Sequence, residues 1–403
     1  MKLSIIICLY NTEKSLLSEC LDSLRRAVLP PIDRETVIVD DGSDGDYSDI
    51  ARRYGATYEK QQKRGTLAAR LRGIELASGE YIAFVDSDDT VGFNYYAPMI
   101  KRADEGFDIV FNSWAFRTER TRYVCSLDDA VSGNITSDKP LDTLLYREGE
   151  QHSYYVLWNK IYKSEPLKRA AEEVAELGAP RDFCFSEDTL INLFAFLTAG
   201  RVGSVRTGYY YYRLHAGQTV NATSKEKLLC QVNLMSYTLE KYREAVAENE
   251  ALTKKVLAWR DMMARGHVSR ARQGGYGDAI PYIMKRYGAS ELHDSTRLGG
   301  EIYEKVRLLP KNAEEIEIAL WKICRRDDTV KVRRPKRRGY AELLLDSLAF
   351  CGRTVEYGRD YAPLPREKIS LVKRLVFSAP LRRLAGRLFK KGSRVRAFLK
   401  RFI

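Results

Sequence analysis

Short apolar runs alternate with segments of helical spacing along the amino-terminal part of the chain. Residues 3–9 form an apolar run suited to a buried strand, ending at Tyr10-Asn11. Leu16, Cys20, Leu21 and Leu24 then recur at helical spacing, with Ser15 placed to cap a helix and Pro30-Pro31 to break it. Residues 36–39 read as a second strand running into Asp40-Asp41-Gly42-Ser43, and a weaker strand lies near Thr57-Tyr58. Leu67, Leu71 and Ile74 predict a helix from about Thr66, with Gly79 as its terminator. The run 81–85 is uninterrupted by polar residues, as in a strand buried on both faces. It stops at Asp86-Ser87-Asp88-Asp89.

Beyond Thr90 the pattern predicts a helix to about Ala103, β-like pieces at 107–112 and 123–126, and an aromatic segment at 153–163. A helix follows from Glu187-Asp188 to Ala199-Gly200, with Ser186 as its cap, and then strands at 202–205 and 208–212. From Ser224 the pattern becomes helical: Leu228, Val232, Met235 and Leu239, then Val256, Trp259 and Val268, with a break at Gly274-Gly275. Three regions result: an α/β domain over 1–222, a mainly helical domain over 223–364, and a tail over 365–403.

Strands alternating with helices imply a mostly parallel sheet flanked by helices, in which ligands bind beyond the carboxyl ends of the strands. The polar clusters Tyr10-Asn11, Asp40-Asp41 and Asp86 to Asp89 all fall at such ends, so separate strands deliver polar groups to one edge. Clustered carboxylates repel one another and resist burial, and a cation among them reverses that. Hard oxygen ligands select Mg²⁺ or Mn²⁺, which in turn bind phosphate oxygens. Taken alone, Asp-Ser-Asp-Asp reads equally well as a solvated turn. For Asp41 in Asp-Gly-Ser the lesser alternative is turn chemistry, and for Arg70 a surface helix arginine.

Composition adds three constraints. Seven cysteines, odd in number and without a Cys-x-x-Cys pair, point to reduced thiols and a cytosolic setting. The apolar run at 3–9 is too short for a signal peptide, and no stretch approaches the ~20 apolar residues of a membrane span. A soluble or peripheral protein is expected. The net charge of +13 is concentrated: residues 366–403 hold thirteen Lys/Arg against Glu367 alone. There Leu381, Leu384, Ala385, Leu388 and Phe389, then Val395, Phe398, Leu399 and Phe402, mark a basic amphipathic helix suited to an anionic lipid surface. Docking on a partner or on the protein itself is the alternative. Nucleic acid is not expected, because Leu and Phe at helical spacing favour a lipid surface or a partner over it.

Ile7-Cys8-Leu9-Tyr10-Asn11, Val39-Asp40-Asp41-Gly42-Ser43, Ala69-Arg70-Leu71-Arg72-Gly73 and Gly79 to Asp89 resemble, in order and spacing, the nucleotide-sugar half of a family 2 glycosyltransferase. The resemblance covers roughly residues 1–220 and implies the GT-A fold. It implies that Asp41 with Asp40 holds a uracil base, that Arg70 lies near the base or diphosphate, and that Asp86, Ser87 and Asp88 meet ribose and metal-diphosphate, with Tyr10 and Asn11 beside them. Trp158-Asn159-Lys160 resembles the family's Trp-Asn-Lys segment, which makes Trp158 a wall of the sugar site or, equally, a core tryptophan. Phe185 to Ile191 resembles the family's Glu-Asp motif, with Asp188 as general base and Glu187 in support. The Tyr-Tyr-Arg stretch brings Arg213 to the donor's phosphates and His215 to the phosphates and metal. Many members carry Asn where Leu71 stands.

The expected function is therefore inverting transfer from a UDP-sugar to a saccharide or lipid-linked acceptor in cell-surface polysaccharide synthesis. Mn²⁺ or Mg²⁺ would assist, on the inner face of the cell membrane. The alternative is a catalytically inactive nucleotide-binding scaffold at that membrane.

Overall fold

The apolar run at 3–9 becomes the centre of an open sheet. A computed structural model of the chain describes residues 1–27, 29, 32–112, 114–117, 122–125, 135–145, 155–180, 183–205, 208–213, 224–288 and 306–309. Strands β1 (Lys2–Leu9), β2 (Asp33–Asp40), β3 (Thr57–Lys60) and β4 (Tyr81–Asp86) lie parallel in the order β3-β2-β1-β4. Pairing sets Leu9 opposite Asp40 and Cys8 opposite Asp86, so three strand ends reach the same edge together. That level finish gathers the strand ends at the edge where ligands bind in sheets of this kind.

Helices α1 (Lys14–Arg26), α2 (Ser48–Tyr54) and α3 (Thr66–Leu76) are the crossovers. Leu17, Cys20, Leu21 and Leu24 of α1 pack under Leu3, Ile5, Ile7 and Leu9, while Ile6 faces the other side with Ile74 of α3. Ser15 does not cap α1: Glu13 holds the cap position, and the Ser15 hydroxyl donates to the Glu13 carboxylate. Pro30-Pro31 lies outside the described residues; α1 has already ended at Arg26. Nor does Gly79 terminate α3, which stops at Leu76 when Ala77 turns extended. Gly79 is small for another reason. A Cβ there would stand 2.6 Å from Ser4 Oγ, 2.7 Å from Ser4 N and 2.8 Å from the Lys2 carbonyl.

Strand β5 (Thr90–Val91) follows the acidic turn and delays α4 to Ala97–Ala103, because Thr90 and Val91 are used in sheet pairing. Next come β6 (Ile109–Phe111), β7 (Trp114–Arg117), β8 (Arg122–Cys125), β9 (Thr136–Ser137), α5 (Pro140–Leu144) and β10 (Lys160–Lys163). The amphipathic helix α6 (Ser164–Glu176) was not foreseen, although its buried positions Leu167, Ala170, Ala171 and Val174 recur at helical spacing. Then come α7 (Glu187–Thr198), β11 (Val202–Ser204) and β12 (Tyr210–Arg213). The main sheet continues as β4-β10-β6-β11-β9, with β10 antiparallel to both neighbours. A second sheet runs β13-β8-β7-β12-β5, where β13 is Val306–Leu309.

Helices α8 (Lys225–Ala245), α9 (Glu250–Gln273) and α10 (Ile280–Tyr287) pack into the core already formed by α7 and β4, so Leu228, Trp259 and Ile283 share one apolar cluster with Phe84 and Leu190. The tail at 365–403 and the stretch 310–363 lie outside the described residues. Among the described residues no helix is long and apolar enough to cross a membrane, and Cys8, Cys20 and Cys230 are free thiols.

Because backbone atoms cannot yield around Gly79, G79A is expected to cost about 1–3 kcal/mol, the usual range for overpacking. A urea denaturation midpoint lowered against the parent protein checks this.

Candidate active site at the carboxyl edge of the sheet

Two left-handed residues that are not glycine, Asn11 (φ +50) and Ser186 (φ +63), flank the site. Asn11 donates its backbone N–H to Ser43 Oγ at 2.8 Å, and its amide exchanges hydrogen bonds of 3.0 and 2.9 Å with Asp44. The end of β1 is thereby tied to the loop after β2. Tyr10 is 45% exposed, with Lys63 Nζ 3.7 Å above its ring.

Asp40 is fully buried and accepts from Ser43 N at 2.8 Å and Tyr58 OH at 2.7 Å. Asp41 accepts from Gln61 Nε2 (2.7 Å), Arg64 N (2.9 Å) and Gly65 N (2.9 Å). The acidic pair thus builds the loop that launches α3. Gly42 (φ +80) lets that loop close, since a Cβ there would stand 2.7 Å from Lys63 N.

Arg70, buried on α3, is the bridge. Its Nη2 lies 3.3 Å from Asp86 Oδ1 and 3.4 Å from Glu187 Oε1. Its Nη1 is buried with no hydrogen-bond partner among the described residues. One guanidinium therefore joins the acidic turn after β4 to the first turn of α7. Burial works against the Arg70 charge, but Glu187, Asp86 and Asp188 outweigh it and raise its pKa. Burial lifts Asp86 to about 6; Arg70 opposes this, while Asp88 and Asp188 add to it. Burial lifts Glu187 to about 7, again against Arg70 and with Asp188 and Asp86 contributing.

Ser186 occupies the cap position of α7, yet its side chain makes no capping hydrogen bond; the hydroxyl turns to Thr238 instead. A lost cap and a left-handed backbone cost about 1 kcal/mol or more each. Asp188 is only half-buried, and Thr189 donates to its Oδ1 from N (2.7 Å) and from the hydroxyl (3.3 Å).

The acidic turn is held from β12, which sequence reasoning did not anticipate. Asp89, 1% exposed, accepts from Tyr210 OH at 2.8 Å and Arg213 N at 2.6 Å. The Tyr210 hydroxyl also accepts from Asp86 N at 3.0 Å. Burial, then Asp88 and Asp86, push the Asp89 carboxyl well above its usual range. Arg213 donates its Nε to the Asp88 carbonyl at 2.8 Å and pairs with Glu19 at 2.5 Å, so it braces this turn. Ser87 Oγ lies 2.6 Å from Thr12 Oγ1.

Trp158 is 3% exposed and stacks on Tyr210 (4.4 Å between ring centroids) and Tyr212 (5.6 Å), with Trp114 edge-on. Of its two readings, the core tryptophan describes this placement. Its neighbour Lys160 is fully buried, donating to Asn159 Oδ1 at 2.7 Å and to the Val156 carbonyl. Burial drives its pKa well down, and the nearby Asp188 opposes that. A lysine beside an aromatic strand was the available signal. His215 lies outside the described residues.

Among the described residues no three His, Cys, Asp or Glu side chains group closely enough to hold a metal ion by themselves. Asp86 and Asp88 do suit Mg²⁺ or Mn²⁺ of the kind that takes one or two carboxylates and completes its shell with phosphate and water.

The Glycosyl transferase family 2 profile matches residues 4–168, which carry β1 to β4, Arg70 and the acidic turn. Over these residues the chain is similar to glycosyl transferase family 2. "Putative glycosyltransferase EpsH" of Bacillus subtilis is 31% identical over 230 residues, 55% of this chain and 64% of that one. Glycosyltransferase GlyA of Streptococcus pneumoniae is 26% identical over 291 residues, 70% of this chain and 40% of that one. A poly(ribitol-phosphate) beta-glucosyltransferase of Bacillus spizizenii is 44% identical over 99 residues, 23% and 16% of the two chains. The chain spans less than two thirds of the length of each of these relatives. Among solved structures, S. aureus TarS 1-349 in complex with UDP aligns at TM-score 0.49 and 20% identity over 71% of this chain and 80% of that one. That likeness is too loose to carry chemistry across. The mostly parallel sheet flanked by helices agrees with the GT-A fold that the family implies.

A carboxylate whose pKa is raised by folding makes the native state bind more protons than the unfolded chain. Its stabilising contribution is full below the unfolded pKa and is lost as pH rises through the folded one. For Glu187 the window runs from its ordinary 4.5 to about 7. E187Q is therefore expected to be more stable than the parent at pH 8, with the gain shrinking towards pH 5; denaturant midpoints at the two pH values check it.

Proposed function

We propose that this protein transfers a sugar, with inversion, from a UDP-sugar to a saccharide or lipid-linked acceptor in cell-surface polysaccharide synthesis. The observation that carries the reading is the single Arg70 guanidinium joining Asp86 to Glu187. It brings the donor-side acidic turn and the acceptor-side helix to one edge of the sheet. The orphaned Arg70 Nη1 is a donor suited to a diphosphate oxygen.

Asp188 is the general base. It is the more exposed of the Glu-Asp pair, and both its hydrogen bonds fall on Oδ1, leaving Oδ2 for an acceptor hydroxyl. As Asp188 takes the proton, the acceptor oxygen bonds to the anomeric carbon. The bond from that carbon to the diphosphate breaks on the opposite face, and UDP departs with the electron pair. Arg70 meets the charge that develops on the leaving group. A divalent cation held by Asp86 and Asp88, when bound, would neutralise the diphosphate. Glu187, ion-paired and buried, orients Arg70.

The name of the poly(ribitol-phosphate) relative supports a polymeric cell-surface acceptor. The apolar spacing and thirteen basic residues of the tail support attachment to an anionic inner leaflet.

UDP release measured with candidate acceptors should fall at least roughly a hundredfold in D188N, the scale of lost general-base catalysis. D88N should lose turnover comparably, while D188N still binds UDP in a thermal-shift assay. Turnover retained in both variants overturns the reading.

A further inference from the structure

The hydroxyl of Ser186, the left-handed residue just before Glu187-Asp188, is directed into helix α8. Ser186 is 8% exposed, and its Oγ lies 2.9 Å from Thr238 Oγ1, itself fully buried. The Thr238 hydroxyl already donates to the Leu234 carbonyl at 3.1 Å, so Ser186 must be the donor between them. One turn along α8, Tyr242, also fully buried, donates its hydroxyl to the Thr189 carbonyl at 2.9 Å. Both ends of the Ser186-Glu187-Asp188-Thr189 turn are therefore gripped by one helix that lies outside the span of the family profile. A serine that forgoes its own helix cap and adopts positive φ holds that shape only where its surroundings over-determine it.

We propose that α8 is a positioning element of the active site. Thr238 and Tyr242 fix the first turn of α7 so that Glu187 meets Arg70 while Asp188 stays open to an incoming hydroxyl. The proposal rests on the reading of Asp188 as general base. It gives the helices after residue 224 a role in turnover beyond filling the core.

Steady-state kinetics on the full chain test it. T238V keeps the shape of Thr238 and removes the hydroxyl; kcat should fall about tenfold, the scale of a small misplacement of a reacting group. The KM for the donor should stay within about twofold, because the nucleotide side is untouched. T238S restores the hydroxyl and should restore kcat. S186G tolerates positive φ but removes the same bond from the other end, so it should match T238V. The double variant should be no slower than the slower single one. Circular dichroism melting checks the fold of T238V; if it does not fold, S186G carries the same expected loss.

A T238V or S186G enzyme within about twofold of parental kcat overturns the proposal. So do additive losses in the double variant, or a T238S enzyme as slow as T238V. D188N at the parental rate overturns the base assignment and this proposal with it; D188N inactive beside a normal T238V overturns this proposal alone.

Discussion

A single buried cation holds the site together. Arg70 pairs with two carboxylates from distant parts of the chain, the half-buried Asp86 and the buried Glu187, and Glu187 would be costly to bury without it. Its presence does not return either acid to its ordinary range: Asp86 reaches about 6 and Glu187 about 7. The protein thus keeps an under-neutralised acidic pocket at the edge of its sheet. Such a pocket gains from an added cation, and the unsatisfied Arg70 Nη1 gains from an added anion. A metal-bound diphosphate is one ligand that brings both.

The fold was readable where the periodicity was strong. Residues 3–9 and 81–85 announced the central strands because strands buried on both faces are nearly all apolar, Ser4 being the polar exception. Helix α6 went unread although Leu167, Ala170, Ala171 and Val174 recur at helical spacing along its buried face. The cap assignments failed too. Ser15 falls inside the first turn and its hydroxyl goes to Glu13, which holds the cap position, while Ser186 stands at the cap position but gives its hydroxyl to the distant Thr238. Local chemistry offered a cap and the assembled protein used it elsewhere.

The site was legible in its acids and less so in their supports. Asp86, Asp188, Glu187 and Arg70 belonged to short motifs and do converge. Asp40 and Asp41 also sit at the edge, but their carboxylates are engaged in shaping the loop ahead of α3. Of the residues that fix the geometry, Asp89 stood in the acidic cluster without its role being legible, and Tyr210, Thr238 and Tyr242 carried no local signal, because each acts through a contact more than fifty positions away. Trp158 shows the converse: its motif drew attention, yet its ring is walled in by Tyr210, Tyr212 and Trp114.

The pairing of β13 with β8 bears on how the chain can be shortened. Residues 306–309 close one border of the second sheet, whose other border, β5, continues directly from the acidic turn. A version cut back to the end of α10 would keep the main core and every candidate catalytic residue among those described. It would also leave the amides and carbonyls of β8 unzipped along that border, an invitation to sticky, edge-to-edge self-association.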